Sequence, residues 1–97
     1  MFGPESENRR QYPRTKVSWP VVVETGTHRY PCEVTDISNR GAKVMTREPL
    51  ETGSVVRLQI VAPDGALRVG AVVRRIDADG VAFSFARSIY HRFIHVA

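Results

Sequence analysis

Residues 54–85 read SVVRLQIVAPDGALRVGAVVRRIDADGVAFSF, and this stretch decides the fold. Val56, Leu58 and Ile60 alternate with Arg57 and Gln59. Leu67, Val69, Ala71 and Val73 then share one face, and Val81, Phe83 and Phe85 alternate again. A side-chain period of two is that of a strand with one buried face. Pro63-Asp64-Gly65 and Asp77-Ala78-Asp79-Gly80 separate the runs, and such Pro/Asp/Gly clusters form tight hairpin turns. Strands over 54–62, 66–76 and 81–85, joined by two hairpins, are therefore expected.

The same pattern extends towards the N-terminus. Val17, Trp19, Val21 and Val23 alternate with Ser18, Pro20 and Glu24, giving a strand over 17–24 that ends at Thr25-Gly26-Thr27. Pro20 cannot donate to a ladder, so that strand needs an edge or a bulge there. A second strand spans 29–37, with Tyr30, Cys32 and Val34 inward, and Ser38-Asn39-Arg40-Gly41 breaks it. Residues 42–46 form a short third strand, followed by the loop REPLETG. Six short strands with hairpin turns, and no helix long enough for a parallel crossover, define an all-β antiparallel barrel or sandwich.

At 97 residues the chain holds one domain. Two segments flank the strands. Residues 1–16 carry Glu5, Glu7, Arg9, Arg10, Arg14 and Lys16 between the breakers Pro4 and Pro13, with no apolar period. They are expected to be a flexible basic arm, leaving 17–97 as the β-domain. In the tail, Ile89, Phe93 and Val96 recur at spacings of four and three, which predicts one short C-terminal helix over 86–96.

Charge and composition narrow the function. The chain has 14 Lys+Arg against 10 Asp+Glu, a net +4. All of its cations except Lys16 and Lys43 are Arg. A guanidinium fork pairs two-point with phosphate or a guanine edge and stacks on aromatic planes, so the bias suits a phosphate-bearing or nucleobase ligand; a GC-rich coding bias gives the same excess. No apolar run reaches transmembrane length, and 1–14 lacks the apolar core of a secretory leader. Cys32 is the one cysteine, which excludes an intrachain disulfide and a multi-cysteine zinc site. A cytoplasmic address without membrane contact is the default expectation.

Catalytic signatures are missing: there is no GxSxG, HExxH, CxxC or Gly-rich phosphate loop. His91 and His95 stand at i, i+4 but lack a third ligand nearby, so no metal is expected. Cys32 faces inward as a small hydrophobe, and Asp77 and Asp79 are accounted for by their turn. The expectation is a protein that is not an enzyme and has neither a catalytic residue nor a cofactor.

Two motifs remain. Arg10 and Arg14 form R-x-x-x-R on the arm, a spacing expected about 1.4 times by chance in a chain this rich in Arg. Asp36-Ile37-Ser38-Asn39-Arg40-Gly41 fits D-x-S-x-x-G, with about 0.02 chance matches expected. Turn chemistry, with Asp and Ser bonding the turn backbone and Gly at positive φ, explains part of the second motif.

An arm with RRxxxR, a gap of about twenty residues, D-x-S-x-x-G leaving a strand, and then Gly80-Val81-Ala82-Phe83 resembles the PilZ family of bacterial second-messenger receptors. The resemblance covers nearly the whole chain and implies a six-stranded barrel of Greek-key type. It also implies noncatalytic binding of cyclic dimeric GMP through Arg9, Arg10, Arg14, Asp36, Ser38 and Gly41, with a downstream protein partner. The arm would order on the ligand to signal. Guanine offers O6 and N7 to an Arg fork, and N1–H and N2–H to a carboxylate. Arg10 and Arg14 would therefore supply fork and phosphate contacts. Asp36 would accept from a guanine edge or orient an arm Arg. Ser38 would bond phosphate or the turn backbone, and Gly41 would permit close backbone approach. Arg9 could stack on a guanine and favour two nucleotides per chain. The competing reading is a small barrel that binds nucleic acid or a protein without the dinucleotide; only Tyr12, Trp19 and Tyr30 could stack bases, and Trp19 sits on the buried face.

Overall fold

The structure, a computed structural model, describes residues 14–89. Most of the expected arm, with Arg9 and Arg10, lies outside the described residues, as do residues 90–97. Six strands form: β1 (Thr15–Glu24), β2 (Arg29–Ile37), β3 (Gly41–Met45), β4 (Val55–Ala62), β5 (Gly65–Asp77) and β6 (Gly80–Phe85). They close into an antiparallel barrel in the order β1-β2-β3-β6-β5-β4. Strand β4 returns to lie beside β1 after the β1-β2-β3 meander, which is the Greek-key connection. Each of the six strands has a neighbour on both sides, so none is an edge strand. Residues 86–89, the described start of the expected tail helix, are not helical.

The alternation read from the sequence fills the barrel. Val21, Val23, Val34, Ile37, Val44, Leu58, Ile60, Val69, Val73, Val81 and Phe83 are buried in a single core, and Ile89 inserts into it from beyond β6. Two hairpins are tight: Ala62 pairs with Gly65 across Pro63-Asp64, and Asp77 with Gly80 across Ala78-Asp79. Gly65 and Gly80 take φ of 143° and 152°, backbone that favours glycine.

Three register shifts bend the strands: Lys16/Trp19 in β1, Val34/Asp36 in β2 and Val73/Arg75 in β5. An extra residue increases local twist and coiling, which a barrel of six strands needs in order to close. Thr15 and Lys16, expected to end the arm, already belong to β1. Pro20 is accommodated because the β1–β4 pairing begins only at Val21, so the proline precedes that ladder.

Candidate functional site

Asp36 owes its position to the bulge in β2. Val34 faces the core, and unbroken alternation would turn Asp36 inward too. The shift between Val34 and Asp36 sends Ile37 inward in its place and leaves Asp36 on the outer wall. There its backbone is paired with Lys16 of β1 on one side and Lys43 of β3 on the other. Arg14, just before β1, donates Nε–H to Asp36 Oδ1 at 3.0 Å. The Arg14 side chain is 51% exposed and that of Asp36 only 16%. The carboxylate thus works as an anchor, while the arginine remains accessible. Among the described residues the pairing uses Nε alone.

The turn after Asp36 is braced from within. Ser38 N–H donates to Gly41 O at 2.9 Å, and Ser38 Oγ donates to the same oxygen at 3.4 Å. Arg40 N–H donates to Ser38 Oγ at 3.2 Å. Ser38 is only 2% exposed, so its hydroxyl serves the turn backbone, one of the two roles expected for it, and does not face solvent for a phosphate. Residues beyond β6 hold the turn from outside: Phe85 N–H donates to Arg40 O and Ile89 N–H to Asn39 O, both at 2.8 Å. Asn39 Oδ1 is buried without a hydrogen-bond partner.

Gly41 is required for a different reason from the one turn chemistry suggests. Its φ is not positive; the positive-φ glycines among the described residues are Gly53, Gly65 and Gly80. A Cβ at Gly41 would instead lie 2.4 Å from the backbone oxygen of Phe83. The close approach is therefore between β3 and β6, at the seam that closes the barrel, where Gly41 pairs with Ser84. Gly80 pinches the other end of this seam, since its Cβ would lie 2.4 Å from Val44 O.

Two cations beside Asp36, Lys16 and Lys43, did not emerge from the motifs, because neither is in one. Cross-strand register alone places them. Lys43 reaches Asp79 at 2.8 Å and Asp77 at 3.2 Å, tying β3 to the β5–β6 hairpin, and Arg75 adds a 2.9 Å contact to Asp77. The bond to Asp79 raises the Lys43 pKa, with Asp77 adding to it. Arg75 first, and Lys43 after it, holds Asp77 below the usual carboxylate range; Lys43 does the same to Asp79.

Arg9 and Arg10 lie outside the described residues, as do His91 and His95. Among the described residues no cluster of three or more His, Cys, Asp or Glu could hold a metal ion. No helix there is long and apolar enough to cross a membrane. A cavity of about 400 Å³ opens between the 25–28 turn and the 49–56 segment, lined by His28, Tyr30, Leu50 and Glu51 among others. It lies at the far end of β1 from Lys16, roughly 25 Å along the strand, and no motif residue lines it. The candidate site is instead an open outer face: Arg14, Lys16, Asp36 and Lys43 beside a braced turn.

Solved structures share this architecture. The Bacillus subtilis inhibitor of motility MotI/DgrA matches with a TM-score of 0.69 and 24% identity over 84% of this chain. This chain spans only 44% of MotI/DgrA. The PilZ domain of CeSA from a cellulose-synthesizing bacterium matches at 0.64 and 21% identity, covering 84% of this chain and 85% of that one. The K. pneumonia MrkH–c-di-GMP complex matches at 0.56 and 19% identity, covering 86% and 45%. At these identities the likeness concerns the fold. No curated protein matches the chain. The PilZ domain model matches residues 8–92, a span that takes in both motifs, all six strands and the residues beyond β6 that hold the turn. The chain belongs to the PilZ domain family.

Proposed function

We propose that this protein is a noncatalytic receptor for cyclic dimeric GMP that acts as an adaptor towards a protein partner. The observation that carries the reading is the Arg14–Asp36 pair at 3.0 Å, which joins the R-x-x-x-R motif to D-x-S-x-x-G within a PilZ domain. The family match and the fold shared with MrkH, solved as a c-di-GMP complex, support it.

In this reading Asp36 orients Arg14, and the free edge of the guanidinium takes a phosphate or the O6/N7 edge of a guanine. Arg9 and Arg10, from the segment that precedes Arg14, complete the contacts. Ser38 and Gly41 act indirectly: the serine braces the turn, and the glycine lets β3 approach β6. The outer wall there sets Arg14, Lys16, Lys43 and Arg75 against Asp36, Asp77 and Asp79, which leaves a small positive excess for a ligand with two phosphates. The cytoplasm is the proposed location, where a lone thiol such as Cys32 stays reduced.

Titration calorimetry with cyclic dimeric GMP tests the reading. Saturable binding, with the nucleotide recovered intact after incubation, is expected. No heat of binding, or release of linear dinucleotide in proportion to protein, would overturn it.

A further inference from the structure

The outer wall balances most of its charges within itself. Arg14 pairs with Asp36, Arg29 with Glu24 at 3.2 Å, and Lys43 and Arg75 with Asp77. Other arginines on the β4–β5 side of the barrel, Arg74 among them, take no part in these pairs. Arg57, Arg68 and Arg87 are three of these, and all are exposed.

Register brings these three together. Arg57 is opposite Gly70, and Arg68, two residues earlier on β5, is opposite Gln59, so the two arginines are diagonal neighbours on one face. Arg87 crosses from beyond β6 and donates Nη2–H to Arg68 O at 3.4 Å. Glu24 pairs with Arg57 across β1 and β4, but its Oε2 is taken by Arg29 at 3.2 Å and Gln59 at 2.9 Å. The floor between the arginines is small: a Cβ on Gly70 would touch only the Ala86 methyl, at 3.7 Å. A partner's side chain can therefore come close to the backbone there.

The patch is also fixed to the candidate site. Residues 85–89 form a strap whose bonds alternate between the two. Phe85 N–H goes to Arg40 O, Ala86 N–H to Gly70 O and Ile89 N–H to Asn39 O, each at 2.8 Å. Arg87 contacts β5 between them. Ile89, 1% exposed, anchors the strap in the core.

We propose that Arg57, Arg68 and Arg87 form a docking face for a carboxylate-rich segment of a partner protein. Three guanidinium forks over a small-residue floor match carboxylates two-point. Nucleic acid suits the face less well, because no aromatic side chain lies among these residues to stack a base and Glu24 borders the patch. The docking face stands independently of the receptor reading. Its linkage to the nucleotide rests on that reading: the strap touches both sites, and a ligand that shifts it at one site changes affinity at the other reciprocally.

Fluorescence anisotropy with the full chain decides it. The probe is a short fluorescein-labelled peptide of alternating Glu and Gly, set against its Gln-for-Glu counterpart and an oligothymidylate of equal length. The Glu peptide should bind best, and Arg57→Gln, Arg68→Gln and Arg87→Gln should each weaken it about two- to fivefold, with Arg47→Gln as an unaffected control. Equal binding of the Glu and Gln peptides, tighter binding of the oligothymidylate, or a triple variant indistinguishable from wild type would overturn the docking face. Repeating the titration with saturating cyclic dimeric GMP should shift the peptide affinity. No shift, while calorimetry records nucleotide binding, would overturn the linkage. Absence of nucleotide binding would count against the receptor reading and leave the peptide result to stand on its own.

Discussion

Replacing Gly41 with alanine isolates the requirement at the barrel seam. The new methyl carbon would sit 2.4 Å from Phe83 O, whereas comfortable contact starts about 1 Å further out. The obstructing atom is backbone within the β3–β6 ladder, where Gly41 pairs with Ser84, so no side chain can rotate away. Overpacking of this kind destabilises by about 1–3 kcal/mol, and lower unfolded-state entropy of alanine returns about 0.4–1 kcal/mol. The net loss is about 0–2.6 kcal/mol and centres near 1.3, or roughly 5–10 °C in thermal midpoint for a domain of this size. Gly26→Ala is the matched control: its Cβ meets nothing within 4 Å and its φ is not positive. Thermal melts followed by circular dichroism should leave Gly26→Ala at or slightly above wild type and lower Gly41→Ala well below it. Equal midpoints for the two variants would refute the seam argument.

Other substitutions probe the site piece by piece. Ser38→Ala removes a buried hydroxyl that bonds Gly41 O and Arg40 N–H, and should lower stability by about 1 kcal/mol in urea unfolding; an unchanged midpoint would show that the hydroxyl does not brace the turn. Lys43→Gln should make stability less sensitive to acid. Asp77 and Asp79 have lowered folded-state pKa values, so the stability that Lys43 draws from them is complete above the ordinary Asp pKa and lost as pH falls through the lowered values. Thermal midpoints of wild type and variant should differ at neutral pH and converge in acid; a gap that persists in acid contradicts this. Arg9→Ala should lower the calorimetric stoichiometry from two nucleotides towards one while binding persists, whereas a wild-type value of one removes the stacking role.

The period-two runs predicted all six strands, because alternation and Pro/Asp/Gly turns are local signals and the barrel obeys them. The bulge in β2 was not legible. Nothing in Cys32-Glu33-Val34-Thr35-Asp36 marks where alternation slips, yet that slip puts Asp36 outside. Register is a long-range property, so Lys16 and Lys43, which flank Asp36 only across strands, could not be found from spacing. Gly41 was legible as a necessary glycine but not for its reason, since the obstacle is a backbone oxygen 42 residues away at Phe83, a contact no local turn rule contains. Ser38 likewise had two readings in the sequence, and its burial favours the turn backbone. Arg57, Arg68 and Arg87 formed no motif at all; the barrel and the strap gather them.

The central claim is that Asp36 and Arg14 together present a guanidinium to cyclic dimeric GMP. Titration calorimetry on wild type, Arg14→Ala, Arg14→Lys and Asp36→Ala tests it most directly, with a thermal melt of each variant alongside. The exposed pair contributes only about 0–1 kcal/mol to stability, so the melts should barely move. Each Ala variant should lose about 1.5–3 kcal/mol of binding, roughly ten- to a hundredfold in affinity, and Arg14→Lys should fare little better because an ammonium has no fork. Wild-type affinity in Arg14→Ala or Asp36→Ala, with the fold intact, would contradict the account.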